Sequence, residues 1–328
     1  ALPICNKAQY PVSFDRQLKI GFFAPRSHRV VDCENCILQP PIFADIVKIF
    51  RKFIIKNGIT VYDSEKHTGL LRHIYLRLAE ATGEVMVCAV INGEDLPHKN
   101  ELIKRLTEIH SVKSIVLNIN RDRTNVILGK ECVTVWGNDC IYDVLCGVKV
   151  RLSPLSFYQV NHDMAQQLYE KAAEYACLSG KETVLDMYCG TGTIGLSMAK
   201  KAKRIIGAEI VPEAVLDAKR NALENGIENA EFICADAGEA AQELSSRGIK
   251  PDVVLLDPPR KGCSEMLLAE IVKMSPERIV YVSCDPSTLA RDCFRLKDLG
   301  YETKRLAAAD LFPRTVHVES VALLTKQK

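Results

Sequence analysis

Near residue 160 the texture of this chain changes, and the change limits what it can fold into. Five short apolar runs, "TVLDMY", "RIIGAEI", "AEFICAD", "DVVLLD" and "RIVYVSC", follow at intervals. Between and after them lie amphipathic stretches that open after Thr193, Pro212, Ala237, Ser264 and Pro286. Near-continuous apolar strands alternating with amphipathic helices predict a parallel sheet covered on both faces, since each strand has two sides to bury. Two more strands, "YETKRLAAAD" and "HVESVALLTK", close the chain. The fold class is α/β, and ligands of such sheets bind outside the carboxyl ends of the strands.

The first half reads differently. "LLRHIYLRL" and "EVMVCAVIN" flank "AEATG" as a hairpin, and "SVKSIVLNIN" and "NVILGKECVTVW" continue in strand style. Two helical patterns interrupt them, "IFADIVKIFRKFIIKNG", closed by Gly58, and "LPHKNELIKRLTEIH". With 328 residues available, this predicts two domains, a β-rich α+β domain over 1–155 and the α/β domain over 156–328. No segment approaches the roughly 20 apolar residues of a membrane span, and no secretory signal is visible. Thirteen cysteines, an odd number without regular spacing, fit a reducing cytoplasm better than a disulfide framework.

Net charge is only +2, yet residues 1–150 hold 20 Lys/Arg against 16 Asp/Glu, so the basic excess lies there. Arg16, Lys19, Arg26, His28 and Arg29 are interleaved with Phe14, Phe22 and Phe23. Such a mixture can track a phosphate backbone and stack bases, the alternative being a solvated strand face.

In "LDMYCGTGTIGLSMAKKAKRIIGAEI", Gly190, Gly192 and Gly195 take GxGxxG spacing between a strand and a helix. Glycines there let the backbone turn tightly and approach a ligand beneath a helix N-terminus. Glu209 ends the next strand, placed to accept from ribose hydroxyls. This much suits a nicotinamide dinucleotide as well as S-adenosylmethionine. Three features favour the second: Asp186 placed for an ammonium group, Asp236 for an adenine edge, and "LLDPPRKG" at the fourth strand's end. Its two prolines stiffen the backbone where a planar target would enter and orient Asp257. A methyltransferase is the better reading, with a nicotinamide-dependent oxidoreductase as the alternative.

"YVSCDPSTLARD" puts Cys284 at the end of the fifth strand. With Asp285 as N-cap and Pro286 as first helical residue, the thiol precedes a helix N-terminus. The partial positive charge there favours thiolate and predicts a pKa below about 8.5, with Arg260, Lys261 or Arg291 as possible helpers. Cys88, Cys177, Cys234 and Cys293 fall in apolar patterns and read as core filling; Cys189 and Cys263 sit in motif loops. Glu319 is a carboxylate in a mostly apolar strand, explained either by function or by an edge facing water. Asp257 can accept from a ring N–H, and Gln159 can read an amide-like edge or cap the helix near Asn161. The seven histidines show no metal-ligand spacing, so no metal site is expected.

With "FYQVN", "DMYCGTGT", "DPPRKG", "SCDPSTLARD" and "HVESVALL" in this order, the chain resembles the bacterial RNA uracil-C5 methyltransferases. The first half resembles the same group through "NKAQYPV", "GFFAPRSHRVVD", "GLLRHIYLR", "LPHKNEL" and "NINRDRTNVILG", and the type it looks like is the 23S rRNA (uracil-C5) enzymes of Gram-positive bacteria. The resemblance implies a seven-stranded Rossmann-like S-adenosylmethionine-dependent methyltransferase domain preceded by a β-rich central domain. It makes Cys284 the nucleophile and Glu319 the general base. By the same resemblance Gln159, Tyr188, Glu209 and Asp257 would form the cofactor and target pocket, and Gly190, Gly192, Thr193 and Asp236 would take cofactor positions. It implies a monomeric cytoplasmic enzyme acting on RNA, above all 23S rRNA, with a uracil flipped into a pocket between the halves. A tRNA enzyme of the same chemistry and a non-catalytic RNA-binding protein are the alternatives.

Family members usually carry an N-terminal RNA-binding barrel and a 4Fe–4S cluster. Cys36 in "CENCILQP" matches the fourth cluster ligand alone, the other three falling before Ala1 with the barrel. A cluster takes four ligands, so none is expected in this chain. Asp285 stands where many relatives have Asn, which would set a further carboxylate beside the thiol.

Overall fold

The structure, a computed structural model, describes residues 3–327. The chain divides into two compact units, one running up to Asp143 and resuming over Arg151–His162, the other formed by Val144–Val150 and the chain from Asp163.

In the first unit, strands β1 (Lys7–Asp15), β2 (Gln17–Phe23) and β3 (Val30–Asp32) precede helix α1 (Pro41–Asn57). Then come β4 (Leu71–Leu78), β5 (Val85–Ile91), α2 (Lys99–Leu106), β6 (Val112–Ile119) and β7 (Glu131–Gly137). They form one seven-stranded sheet in the order β3-β2-β1-β4-β5-β6-β7. Helix α1 starts at Pro41, whose missing N–H is no loss in the first turn, and stops at Gly58, which takes the left-handed φ of 61°. Its buried stripe, Phe43, Ile46, Phe50 and Phe53, joins Ile20, Ile74 and Val87 in one core. β4 and β5 pair antiparallel, as the hairpin pattern predicts.

Two elements differ from expectation. Helix α2 is shorter than its pattern at both ends: His98 turns left-handed just before it, and it ends at Leu106 with Thr107 as C-cap. "NVIL" is not strand: the buried Arg72 donates to the carbonyls of Asn120, Asp122 and Thr124, and Asn120 Nδ2 to those of Val126 and Ile127. These bonds hold 120–130 as a loop. A hairpin of β8 (Ile141–Leu145) and β9 (Val148–Leu152) follows.

The second unit carries α3 (His162–Ala176), β10 (Thr183–Met187), α4 (Thr193–Met198), β11 (Arg204–Glu209), α5 (Pro212–Glu224) and β12 (Ala230–Cys234). It continues with α6 (Ala237–Ser246), β13 (Val253–Leu256), α7 (Glu265–Met274), β14 (Arg278–Ser283), α8 (Pro286–Asp298), β15 (Tyr301–Ala309) and β16 (Glu319–Lys326). The sheet order is β12-β11-β10-β13-β14-β16-β15. β10 to β14 are parallel, while β16 runs antiparallel to both β14 and β15. This is the seven-stranded α/β sheet the alternation predicts. Ser283 lies opposite Ser320, so the start of β16 sits beside the carboxyl end of β14. Among the described residues no helix is long and apolar enough to cross a membrane.

Candidate active site

At the carboxyl end of β10 the chain turns through Tyr188 (φ 64°), Gly190 (φ 54°) and Gly192 (φ 81°) into α4. Left-handed φ is strained for a residue with a Cβ, so this turn depends on its glycines. A Cβ on Gly190 would meet nothing within 4 Å, so the backbone there borders open space. The loop is held from three sides. Glu209 Oε2 accepts from Gly190 N at 3.1 Å and its Oε1 from Val211 N at 2.9 Å. Asp186 Oδ2 accepts from Gly195 N at 2.9 Å, and Asn221 Nδ2 donates to the Thr191 carbonyl at 3.0 Å. Thr193, the first residue of α4, is buried, with its Oγ1 3.1 Å from that of Thr191.

Asp186 braces the loop through Gly195 with one carboxylate oxygen. Burial pushes its pKa up to about 7, the Gly195 bond holding it down and Glu209 adding to the rise. Asp236 is exposed and its Oδ1 caps α6 by accepting from Gly238 N at 2.8 Å.

Further along the same edge stand Asp257 after β13, Cys284 after β14 and Glu319 at the start of β16. Glu319 reaches this edge because β16 is antiparallel: the register that pairs Ser283 with Ser320 brings it level with Cys284. Glu319 acts on both of the others, and Asp257 on Cys284. Burial, then the charges of Glu319 and Asp186, push Asp257 up to about 8. Burial raises Glu319, and Arg260 offsets part of the rise. The Cys284 thiol is raised by burial, then by Glu319 and Asp257, while its own backbone N–H and Arg260 pull it down.

The lowered thiol expected from the helix N-terminus is thus corrected. Asp285 is the N-cap and Pro286 the first helical residue, but Asp285 Oδ1 itself accepts from Ser287 N (2.9 Å) and Thr288 N (3.2 Å). Those donors are engaged by the cap rather than by the sulfur. The carboxylates that raise the thiol come from across the sheet edge, at Glu319 and Asp257.

A thiol, a carboxylate able to take a proton, a second carboxyl group and a glycine cradle on one sheet edge suit covalent chemistry beside a bound nucleoside. Comparison with known proteins gives the family. Residues 143–327 match the family model described as tRNA (Uracil-5-)-methyltransferase. A protein from Clostridium tetani described as an uncharacterized RNA methyltransferase is 48% identical over 322 residues, 98% of this chain and 70% of that protein. The chain belongs to the RNA uracil-C5 methyltransferase family. A second such relative, from Halalkalibacterium halodurans, is also 48% identical, over 97% of this chain and 70% of its own length. Among solved structures, the Pyrococcus abyssi tRNA (uracil-54, C5)-methyltransferase, in complex with S-adenosyl-L-homocysteine, aligns with a TM-score of 0.84 at 31% identity. That alignment covers 98% of this chain and 76% of that one.

As a uracil-C5 methyltransferase the chain has an S-adenosylmethionine-dependent fold, and its glycine loop fits the donor. Open space faces Gly190, and Glu209 stands at the next strand end with each oxygen still holding a lone pair. The nicotinamide reading is displaced by the family match. In the first unit, Gln159 is half-buried and its carbonyl accepts from Asn6 Nδ2 at 3.1 Å. Cys36 bears electrostatically on Cys5 and Cys33, but three thiols do not make the four-ligand set of a cluster. Of the basic and aromatic cluster, Phe14, Phe23, Arg16, Arg26, His28 and Arg29 are exposed, whereas Phe22 packs on Tyr10 and Lys19 pairs with Asp15.

Other cysteine readings are revised too. Cys88 is buried as expected, and so are Cys189 and Cys263 in their loops, but Cys177 and Cys234 are exposed. Cys177 lies just past α3 at φ 48°, and Cys234 ends the edge strand β12. Sequence reasoning passed over Asn221 and Asp292. The second was legible as a carboxylate in the Leu289–Asp292–Leu296 buried stripe of α8.

Proposed function

We propose that this chain methylates C5 of uracil in RNA, with 23S rRNA as its substrate, Cys284 as nucleophile and Glu319 as base. The observation that carries this is the meeting of Cys284, Glu319 and Asp257 on one edge of the second unit, with Arg260 as the offsetting charge. C5 of uracil is too weak a nucleophile to take a methyl group unaided. Addition of the Cys284 thiolate to C6 makes the ring an enolate, nucleophilic at C5. The bound sulfonium donor supplies the electrophilic methyl group. Glu319 then removes the C5 proton, and elimination of Cys284 restores the ring.

Asp257 takes a role set by its environment. Burial and the charges of Glu319 and Asp186 favour its protonated form, which offers a hydrogen-bond donor to the carbonyl oxygen where enolate charge develops. This replaces the acceptor role expected for it. Gln159, Tyr188, Gly190, Gly192, Thr193, Glu209 and Asp236 are assigned to donor and target binding. The 23S assignment draws on motif similarity through both halves of the chain. The Pyrococcus abyssi structure supports a second reading, tRNA.

Incubation with S-adenosylmethionine and uracil-5-tritiated RNA tests all of this through tritium release. We expect release from 23S rRNA and little from tRNA; the reverse selects the second reading, and release from neither sinks the catalytic one. Cys284→Ala abolishes release, and normal turnover by it excludes Cys284 as nucleophile. Glu319→Gln leaves methylated RNA attached to the protein, and free product at the normal rate removes its role as base.

A further inference from the structure

Asp292 has no solvent exposure, yet it occupies a stripe position in α8 where its neighbours are leucines. Its Oδ2 accepts from Cys263 N at 2.8 Å and from the Tyr281 hydroxyl at 2.7 Å. Its Oδ1 accepts from Arg291 Nε at 2.9 Å and Arg295 Nη1 at 3.4 Å. Arg291 Nη2 in turn donates to the Lys261 carbonyl at 2.8 Å. The segment after Asp257 is therefore pinned at Lys261 and Cys263 onto the helix that begins two residues after Cys284. Packing is tight: a Cβ at Gly262, where φ is 74°, would overlap Arg291 Nη2 and Asp292 Oδ2. Tyr188, on the glycine loop, and Tyr281 both bear on the Cys263 thiol.

Burying a carboxylate costs solvation that its hydrogen bonds only repay, and a packed apolar side chain at such a position is commonly as stable or more so. Stability alone gives no reason for Asp292. Two of its four bonds, from Cys263 N and the Tyr281 hydroxyl, tie the segment after β13 and strand β14 to α8, and the residues that follow those strands are Asp257 and Cys284.

We propose that Asp292 is a positioning residue: it locks the Asp257–Cys263 segment onto α8 and so fixes the separation between the Asp257 carboxyl group and the Cys284 thiol. The inference rests on the roles given above to those two residues. Misplacement of a reacting group by about 1 Å costs on the order of 10²-fold in rate, so a loosened segment acts on turnover more than on binding.

The test uses the intact chain with its donor-binding sites counted by calorimetry, so that only folded protein enters kcat. Asp292→Ala is expected to lower kcat about 10²-fold while KM for donor and RNA stays within about threefold. Asp292→Asn keeps the shape and one oxygen for Cys263 N and the Tyr281 hydroxyl, and recovers part of the loss. The pH midpoint for iodoacetamide alkylation of the Cys284 peptide falls in Asp292→Ala, because Asp257 no longer sits close to the thiol. A merely structural role lowers the melting temperature and leaves both readouts unchanged. If Asp292→Ala yields no folded protein, Asp292→Asn and Gly262→Ala carry the same criteria. Variants with wild-type kcat per site and an unmoved midpoint overturn the inference, provided Cys284→Ala in the same assay is inactive. An active Cys284→Ala instead overturns the reading on which it rests.

Discussion

Cys284 is held between opposing influences, and their balance has a measurable consequence. Burial and the Glu319 and Asp257 carboxylates raise its pKa above the ordinary thiol value, while Arg260 works the other way. The free enzyme therefore keeps a protonated thiol near neutrality, and kcat/KM is expected to climb with pH through the alkaline range. A profile flat from pH 7 upward contradicts this. Asp257 gives a second prediction, on stability. Its folded pKa of about 8 lies above the unfolded carboxylate value, so the folded state binds more protons between the two. The stability this contributes is fully present below the unfolded pKa of roughly 4 and is lost as pH rises through 8. Calorimetry should find a melting temperature that declines from pH 6 to pH 8.5 and a shallower decline in Asp257→Asn; equal slopes refute the assignment.

At the level of elements, the N-terminus of α8 joins stability to placement of the thiol. Asp285 satisfies two of its orphan donors, so Asp285→Ala is expected to cost about 1 kcal/mol, or about 2–4 °C in melting temperature. Asp285→Asn should cost almost nothing, since Asn and Asp cap equally well. It should also leave Cys284 alkylation nearly unchanged, because the carboxylates that raise the thiol are Glu319 and Asp257. A large acceleration in Asp285→Asn would show that the Asp285 charge restrains the thiol. The strands, helix starts and cap of this unit were legible because each rests on local chemistry: apolar runs, Pro at N1, Asp at the N-cap, Gly at a left-handed φ. Glu319 was legible only as an oddity. What brings it level with Cys284 is the antiparallel entry of β16, a pairing between segments more than 30 residues apart. Asp292 escaped notice for the same reason, since its partners lie on β14 and on the segment after β13.

On the scale of the whole molecule, the two units carry different parts of the proposed task. Arg26 and Arg29 are exposed on the first unit beside Phe23, whose ring meets His28 edge-on at 5.7 Å. Arg26→Glu with Arg29→Glu should weaken RNA binding while leaving donor affinity intact. For every phosphate that the protein ceases to neutralise, the slope of log affinity against log salt becomes shallower by about 0.7 on single strands. Filter binding across a salt series measures this, and an unchanged slope removes these arginines from the RNA surface. The sequence by itself determined the α/β fold, the glycine turn and the cap of α8, because all of these follow from residue types within a few positions of one another. Only the tertiary structure decided their electrical state. It turned Asp186 and Glu209 onto the glycine loop, engaged the α8 donors with Asp285, and set Glu319 and Asp257 against Cys284. Proton affinities depend on burial and on charges brought close by folding, and neither distance nor burial is written in the order of residues along a chain.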